Sequence, residues 1–319
     1  MAQFVSSRFF YPFIALVMLG GGVASGNAFF QDTLIMIFFW AAAAGAWNIT
    51  GGYAGQFSLG HAAFMGLGAY ASTLLYIHFH LSPWLGMILG ALLAGTVAMF
   101  LGYITIRLKG PYFALGTLAI GQVLYILAVN WKKLTNGSEG LYIPFEPQIQ
   151  NFIFEDKIPY LLVSVVIASI VFYICRFIET SRIGFQLVAI REDEDAARSL
   201  GVNPVRTKVF AFTASAILTA IPGTFYAQYI QFIEPASVLS LHFSIQIPLI
   251  AIIGGVGVSY GPFMGSLIII PLSLFLRASL GGKFGAIHMA LYGAVLVFVV
   301  IALQQGVAPA IRDKFFRKK

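Results

Sequence analysis

Charged side chains are scarce in this sequence: only 10% of its 319 residues are Asp, Glu, Lys or Arg, whereas 59% are hydrophobic. A soluble domain carries roughly 25% charged residues. The shortage of charge therefore excludes a soluble globular protein. It predicts an all-α, polytopic integral membrane helical bundle within the lipid bilayer. The formal net charge of +7 needs no nucleic-acid partner, because basic cytoplasmic loops give that sign to a membrane protein.

Residues that several kinds of chemistry require are also missing. Cys175 is the only cysteine, which excludes an intrachain disulfide. The five histidines show no HExxH or comparable metal-ligand spacing, and the sequence has no P-loop. We therefore expect no metal, no cofactor and no P-loop ATP site in this chain. If the protein transports a solute uphill, the energy must enter from another protein.

Ten apolar runs predict about ten transmembrane helices in a single domain that covers residues 1–319. The runs occupy residues 9–24, 33–49, 61–77, 84–106, 112–131, 159–175, 209–230, 243–253, 262–276 and 286–303. The first run also fits a signal peptide, but we interpret it as a retained span, because its removal would place the termini on opposite sides of the membrane. Gly-rich stretches next to the second and eighth runs predict broken helices.

The Lys and Arg residues predict an orientation with both termini in the cytoplasm. In that orientation all but five of the 19 Lys and Arg residues lie on the cytoplasmic side, as the positive-inside rule expects. The exceptions are Lys132, Lys133, Lys157, Arg277 and Lys283. No Asp, Glu, Lys or Arg lies deep in any run, which disfavours a proton pump or an ion-coupled secondary transporter.

One polar segment, residues 179–205, interrupts the apolar pattern on the cytoplasmic side. Residues 191–200 predict a short helix with acidic early turns and a Glu194–Arg198 pair, and Gly201 predicts its end. Ala196, Ala197 and Leu200 form a small apolar patch among charges, which suits a helix that presses into a groove of a soluble partner. A solvated loop helix without a partner explains the same charge pattern.

Two Gly-rich segments, residues 51–66 and 254–265, share short similarities in their small residues. Interrupted spans in the two halves of a transporter can mark a substrate path, but glycines also let helices approach closely. Hydrogen bonds between helices likewise explain the nearby polar residues. The candidates for lining or gating a passage are Gln56, Ser58, Gly60, His61, Gln122, Gly254 and Gly255.

Motifs across most of the chain resemble the branched-chain amino acid ABC transporter permease family, in particular its LivM-type subunit. They lie at residues 51–72, 130–141, 181–184, 189–202, 208–216 and 253–265, in the order and spacing of that family. The resemblance implies a pore in the bacterial inner membrane. It also implies four kinds of partner: a homologous H-type permease, two cytoplasmic ATPase subunits, a periplasmic substrate-binding protein and an amino-acid solute.

The same resemblance implies that the helix after the Ser181–Arg182 pair couples the permease to an ATPase. Its coupling residues would be Ala189, Ile190, Arg191, Glu192, Glu194, Asp195, Ala196, Ala197, Leu200 and Gly201. The family usually carries arginines where this chain has Phe185 and Val188.

Three functions follow. The first is the permease subunit of an importer that moves branched-chain or other neutral amino acids from the periplasm, driven by ATP hydrolysis in separate subunits. The second is a urea or short-chain amide permease of the same superfamily. The third, from another class, is a secondary transporter or a membrane enzyme.

Overall fold

A computed structural model describes residues 10–108, 110–280, 293–294 and 306–308 of the chain. In chain order, the first half forms α1 (Phe10–Ser25), α2 (Ala28–Asn48), α3 (His61–Phe79), α4 (Pro83–Thr105), α5 (Pro111–Asn130), α6 (Lys132–Thr135), β1 (Leu141–Tyr142) and α7 (Lys157–Thr180). The second half forms α8 (Arg182–Glu192), α9 (Glu194–Ser199), α10 (Pro204–Ile230), β2 (Phe232–Ile233), α11 (Pro235–Val238), α12 (Leu241–Gly254) and α13 (Gly261–Leu280). The predicted all-α membrane bundle is confirmed.

Eight helical stretches among the described residues are long and apolar enough to cross a membrane. They correspond to the second through ninth predicted runs, and α11 and α12 together provide one of them. The first run forms α1, a shorter helix of 16 residues. The tenth run, residues 286–303, lies outside the described residues apart from positions 293 and 294.

Capping side chains make α2 and α10 longer than their apolar runs. Asn27 accepts hydrogen bonds from the backbone N–H groups of Phe29 and Phe30, so α2 begins at Ala28 rather than at residue 33. Asn203 likewise accepts from the N–H of Arg206, so α10 begins at Pro204 instead of residue 209. Both helices therefore begin earlier than the apolar runs predicted, and the added turns contain polar residues.

Two ionisable residues consequently lie near the ends of spans. Asp32, in α2, binds Lys157 at the start of α7 and accepts a hydrogen bond from the Tyr229 hydroxyl in α10. Lys208 lies in the second turn of α10, and its side chain is only 6% exposed. Each has an oppositely charged partner, as a partly buried charge requires.

Helix α2 lies at the centre of the bundle. It packs against α10, which in turn packs on α3 and α4, and it also packs against α7, α12 and α13. The crossing of α3 and α10 is very close, because a Cβ at Gly68 would collide with the carbonyl of Ala220 and one at Gly223 with that of Met65. Small residues permit such backbone approach in membrane bundles.

Connections between helices gather at the two ends of this bundle. At one end, β1 pairs antiparallel with β2, and the indole of Trp84 donates to the carbonyl of Ile149. At the other end lie a π-helical turn, Ile49–Tyr53, which extends α2, and the helices α8 and α9. The predicted coupling segment and the first Gly-rich segment therefore share one end.

Candidate functional site

The predicted coupling helix is two helices rather than one. The expected helix over residues 191–200 breaks at Asp193, whose backbone is extended. The Asp193 carboxylate accepts hydrogen bonds of 2.9 Å from the N–H groups of Asp195 and Ala196, so it caps a new helix, α9. Gly201 follows α9 with a φ of +85°, a left-handed conformation that ends the helix as predicted.

Glu194 attaches α9 to the membrane domain. The predicted Glu194–Arg198 pair is present, with a nitrogen–oxygen distance of 3.2 Å. The other carboxylate oxygen of Glu194 lies 2.6 Å from the ammonium of Lys208 in α10. Because Lys208 is almost fully buried, losing Glu194 would leave a buried charge without its counter-ion.

Burial divides the coupling residues into an inner and an outer face. Ile190 and Ala197 are 4% and 2% exposed and pack inward, whereas Leu200 is 83% exposed. The expected exposed patch of Ala196, Ala197 and Leu200 is therefore wrong for Ala197, because α9 turns that methyl group towards the rest of the chain. Ala196 and Leu200 remain exposed.

The outer face of α8 adds apolar side chains that the sequence patch did not include. The exposed apolar residues of this helix are Ile183, Phe185 and Val188, and Phe185 is 67% exposed. Phe185 and Val188 stand where the resemblance led us to expect arginines. That departure was the sequence signal that could have predicted an apolar outer face on α8. Together with Leu200 they give the α8–α9 segment a larger exposed apolar surface than predicted.

Arg191, at the end of α8, turns back towards the membrane domain. Its Nη1 donates a 2.9 Å hydrogen bond to the carbonyl of Gly52 in the π-helical turn. Its Nε and Nη2 bind the carboxylate of Glu192, at 3.2 and 2.8 Å. One edge of the guanidinium thus faces the bundle and the other faces the outer surface.

Asn48, a fully buried residue of α2 just before the first Gly-rich segment, binds the second Gly-rich segment. Its Oδ1 accepts from the N–H of Gly257 at 2.9 Å, and its Nδ2 donates to the carbonyl of Val258 at 3.0 Å. Asn48 therefore fixes the turn between α12 and α13 against the end of α2. We did not predict this role; the only sequence signal is a single Asn at the end of a long apolar run.

His61 and Ser58, two passage candidates, form a closed hydrogen-bond chain. His61 Nδ1 lies 3.1 Å from Ser58 Oγ, and His61 Nε2 lies 2.6 Å from Ser215 Oγ. The Ser215 hydroxyl donates its proton to the carbonyl of Ala46, so it can only accept from His61. Nε2–H therefore donates to Ser215 and Nδ1 accepts from Ser58. All of these groups are buried, so they hold α2, α3 and α10 together rather than facing open space.

The glycine candidates lie at close contacts between backbones. A Cβ at Gly60 would lie 2.6 Å from the carbonyl oxygen of Thr117 in α5, and one at Gly254 would collide with the carbonyl of Gly261. Gly255, also buried, follows α12. These positions favour the close-approach interpretation over a lining role.

The two glutamines lie apart from this buried group. Gln56 is half-buried in the turn after α2. Gln122 is exposed near the middle of α5, a span of which only 22% is buried within the chain. The seven passage candidates therefore do not share one surface. The described residues contain no cluster of His, Cys, Asp and Glu that could hold a metal ion.

Comparison with known proteins gives a family and two relatives. The family described as branched-chain amino acid transport system / permease component matches residues 29–300. The chain is similar to the high-affinity branched-chain amino acid transport system permease protein LivM of Escherichia coli (strain K12), with 27% identity over 290 residues, 84% of this chain and 67% of the relative. LivM of Salmonella typhimurium (strain LT2) gives the same values. No solved structure matches the chain significantly.

Proposed function

Because the chain belongs to the branched-chain amino acid transport permease family, we propose that it is the pore-forming subunit of an ABC importer for branched-chain or other neutral amino acids. In this proposal it pairs with a homologous H-type permease in the bacterial inner membrane. A periplasmic binding protein delivers the solute, and two cytoplasmic ATPase subunits supply the energy. Both termini lie in the cytoplasm, consistent with the excess of Lys and Arg on that side.

The α8–α9 segment is the observation that carries this proposal. It presents exposed apolar side chains, chiefly Phe185 and Leu200, among exposed charges such as Glu192 and Asp195. Interfaces combine an apolar centre with a polar rim in this way. The inward residues of the segment, and the ion pair between Glu194 and Lys208, hold it on the membrane domain. We propose that the outer face docks on an ATPase subunit.

The exposed face of α5 supports a passage shared with the second permease. Leu115, Gln122 and Ile126 recur at helical spacing along this face, and all three are exposed. A primary amide that faces hydrocarbon without a hydrogen-bond partner is costly. We therefore propose that this face meets the solute path instead of lipid. Gln122 would offer a polar contact to the ammonium or carboxylate of the zwitterion without a charge that traps it.

Uptake by the complete transporter in proteoliposomes tests the docking proposal. Replacing the exposed apolar side chain in Leu200→Glu places a charge in the proposed interface, and we expect ATP-driven leucine uptake to fall by about tenfold or more. Leu200→Met keeps the apolar surface and is the matched control, with uptake near the wild-type value. Normal uptake by a fully assembled Leu200→Glu transporter would contradict docking through this face.

The same vesicles separate the three functions. Leucine uptake that requires ATP and the binding protein supports the proposal. Uptake of urea or acetamide in preference to leucine supports the amide permease of the same superfamily. Uptake by the isolated chain without ATPase subunits would support a secondary transporter.

A further inference from the structure

Arg191 connects the proposed coupling segment to the ends of the spans. It lies on the last turn of α8, yet its Nη1 donates to the carbonyl of Gly52, far away in sequence. The aliphatic part of the side chain also packs on the bundle, because a Cβ at Gly55 would lie 2.6 Å from Arg191 Cγ. Arg191 is therefore held along its length. Arg198, in contrast, binds the carboxylates of Glu194 and Asp195, both on its own helix.

Three glycines form the seat for this side chain. Gly55 and Gly257 have φ values of +66° and +78°, which side chains with a Cβ rarely adopt. A Cβ at Gly257 would lie 3.1 Å from Arg191 Nη1, and one at Gly52 would lie 2.7 Å from the N–H nitrogen of Gly257. Larger residues at any of the three would displace the guanidinium or the turn beside it. Gly52 and Gly55 of the first Gly-rich segment and Gly257 of the second thus share one structural reason for being glycine.

These three glycines lie where α2 and α12 end and α13 begins. Gly52 belongs to the π-helical turn at the end of α2, and such turns often occur at functional sites. Asn48, one helical turn earlier, binds the backbone of Gly257 and Val258 between α12 and α13. A displacement of Arg191 would therefore act on the ends of α2, α12 and α13 together.

We propose that Arg191 is a positioning residue that transmits movement of the α8–α9 segment to the ends of α2, α12 and α13. This inference rests on the proposed function. Glu192, whose side chain is 69% exposed, binds one edge of the guanidinium, while Gly52 binds the other. The guanidinium is planar and rigid, so a shift at the outer surface reaches the Gly52 carbonyl. A lysine has a single point charge and cannot hold both edges.

ATP hydrolysis and leucine uptake, measured together on the complete reconstituted transporter, test this role. For Arg191→Ala and Arg191→Lys we expect intact assembly, retained hydrolysis and uptake lowered by about tenfold, the size of coupling changes seen for residues that link distant sites. Arg198→Ala removes an arginine from the same segment without touching the seat, and its uptake should stay within about twofold of wild type.

The outcomes separate this inference from the proposed function. Hydrolysis and uptake that fall in proportion, with weaker assembly, would place Arg191 in docking and overturn a transmitting role. Arg191 variants that behave like Arg198→Ala would overturn it as well. If the wild-type transporter shows no ATP-driven uptake, the proposed function fails, and the inference fails with it.

A disulfide between residues 55 and 191, in place of the packing of Arg191 on Gly55, provides a second test. A Cβ at Gly55 would lie 3.3 Å from Arg191 Cβ, close to the separation that a disulfide spans, and Cys175 is buried away from oxidants. The double variant Gly55→Cys/Arg191→Cys should show low uptake when reduced and regain at least half of the lost uptake when oxidised. Uptake unchanged by oxidation, with the disulfide confirmed by mass spectrometry, would overturn the inference. Each single variant controls for strain at its own position.

Discussion

Helices α2 and α5 have similar apolar compositions and opposite environments. In the most apolar 18-residue stretch of each span, 89% of the residues are buried within the protein for α2 but only 22% for α5. Residues 41–46 of α2 are Ala or Gly and all are buried, so neighbouring helices approach its backbone from several sides. Ser58, His61 and Ser215 beside α2 are paired within the chain, whereas Gln122 of α5 is exposed. An apolar run therefore predicts a span but not what surrounds it.

The largest effect should come from filling the contact between α3 and α5. Gly60→Leu drives a side chain into the carbonyl of Thr117, only 2.6 Å from the position of the new Cβ. We expect it to abolish uptake and to destabilise the protein by about 3 kcal/mol, measured by thermal unfolding in detergent. Gly21→Leu is the control, because a Cβ at that exposed glycine of α1 meets nothing within 4 Å. Full uptake by Gly60→Leu would show that α3 and α5 separate freely.

The bundle and its spans were predictable because each span needs a long apolar run. The ends of the helices were less predictable from the sequence, because they depend on capping side chains. Asn27 and Asn203 extend α2 and α10 beyond their runs, and Asp193 divides the coupling segment. An Asn before an apolar run and an Asp within a run of acids are weak signals, because the same residues also occur in loops and along solvated helices.

The inner contacts of the site were not predictable from periodicity. Ala197 was expected outside and lies inside, because α9 is a separate helix with its own orientation. Arg191 was expected to face a partner, but part of it binds Gly52, a residue about 140 positions away in sequence. Such long-range pairing depends on how the helices pack, which a single sequence does not specify. The mixture of charged and small apolar residues in the coupling segment was predictable from the sequence. Its division into an inner and an outer face was not.

A smaller effect is expected from the buried hydrogen-bond chain around α2. Ser215→Ala leaves the N–H of His61 without its partner, whereas the carbonyl of Ala46 keeps its hydrogen bond from the N–H of Ile49. An unsatisfied buried polar group costs about 1–3 kcal/mol, so thermal stability should fall, and uptake per folded molecule should stay near the wild-type value. Thr96→Val is the control, since the hydroxyl of Thr96 is exposed and donates to the carbonyl of Leu92 in its own helix. Uptake that falls much more than stability would place Ser215 on the solute path.

The smallest effect on the fold, and the most informative one for α5, is expected from Gln122→Leu. The side chain is exposed, so its replacement should leave thermal stability within about 0.5 kcal/mol of wild type. If α5 borders the passage, the solute loses a hydrogen-bonding group that substitutes for water, and leucine uptake should fall several-fold. Gln122→Asn keeps an amide and should lose less.

A neighbour on the same helix distinguishes passage from lipid. Val123 is 56% exposed and lies about 100° around α5 from Gln122, so Val123→Leu should leave uptake unchanged if only the Gln122 face borders the solute. Lipid-facing positions tolerate apolar substitution, and a leucine suits hydrocarbon better than a glutamine does. Gln122→Leu with full uptake and raised stability would therefore mean that this face of α5 meets lipid, and that the exposure of Gln122 is not a sign of the solute path.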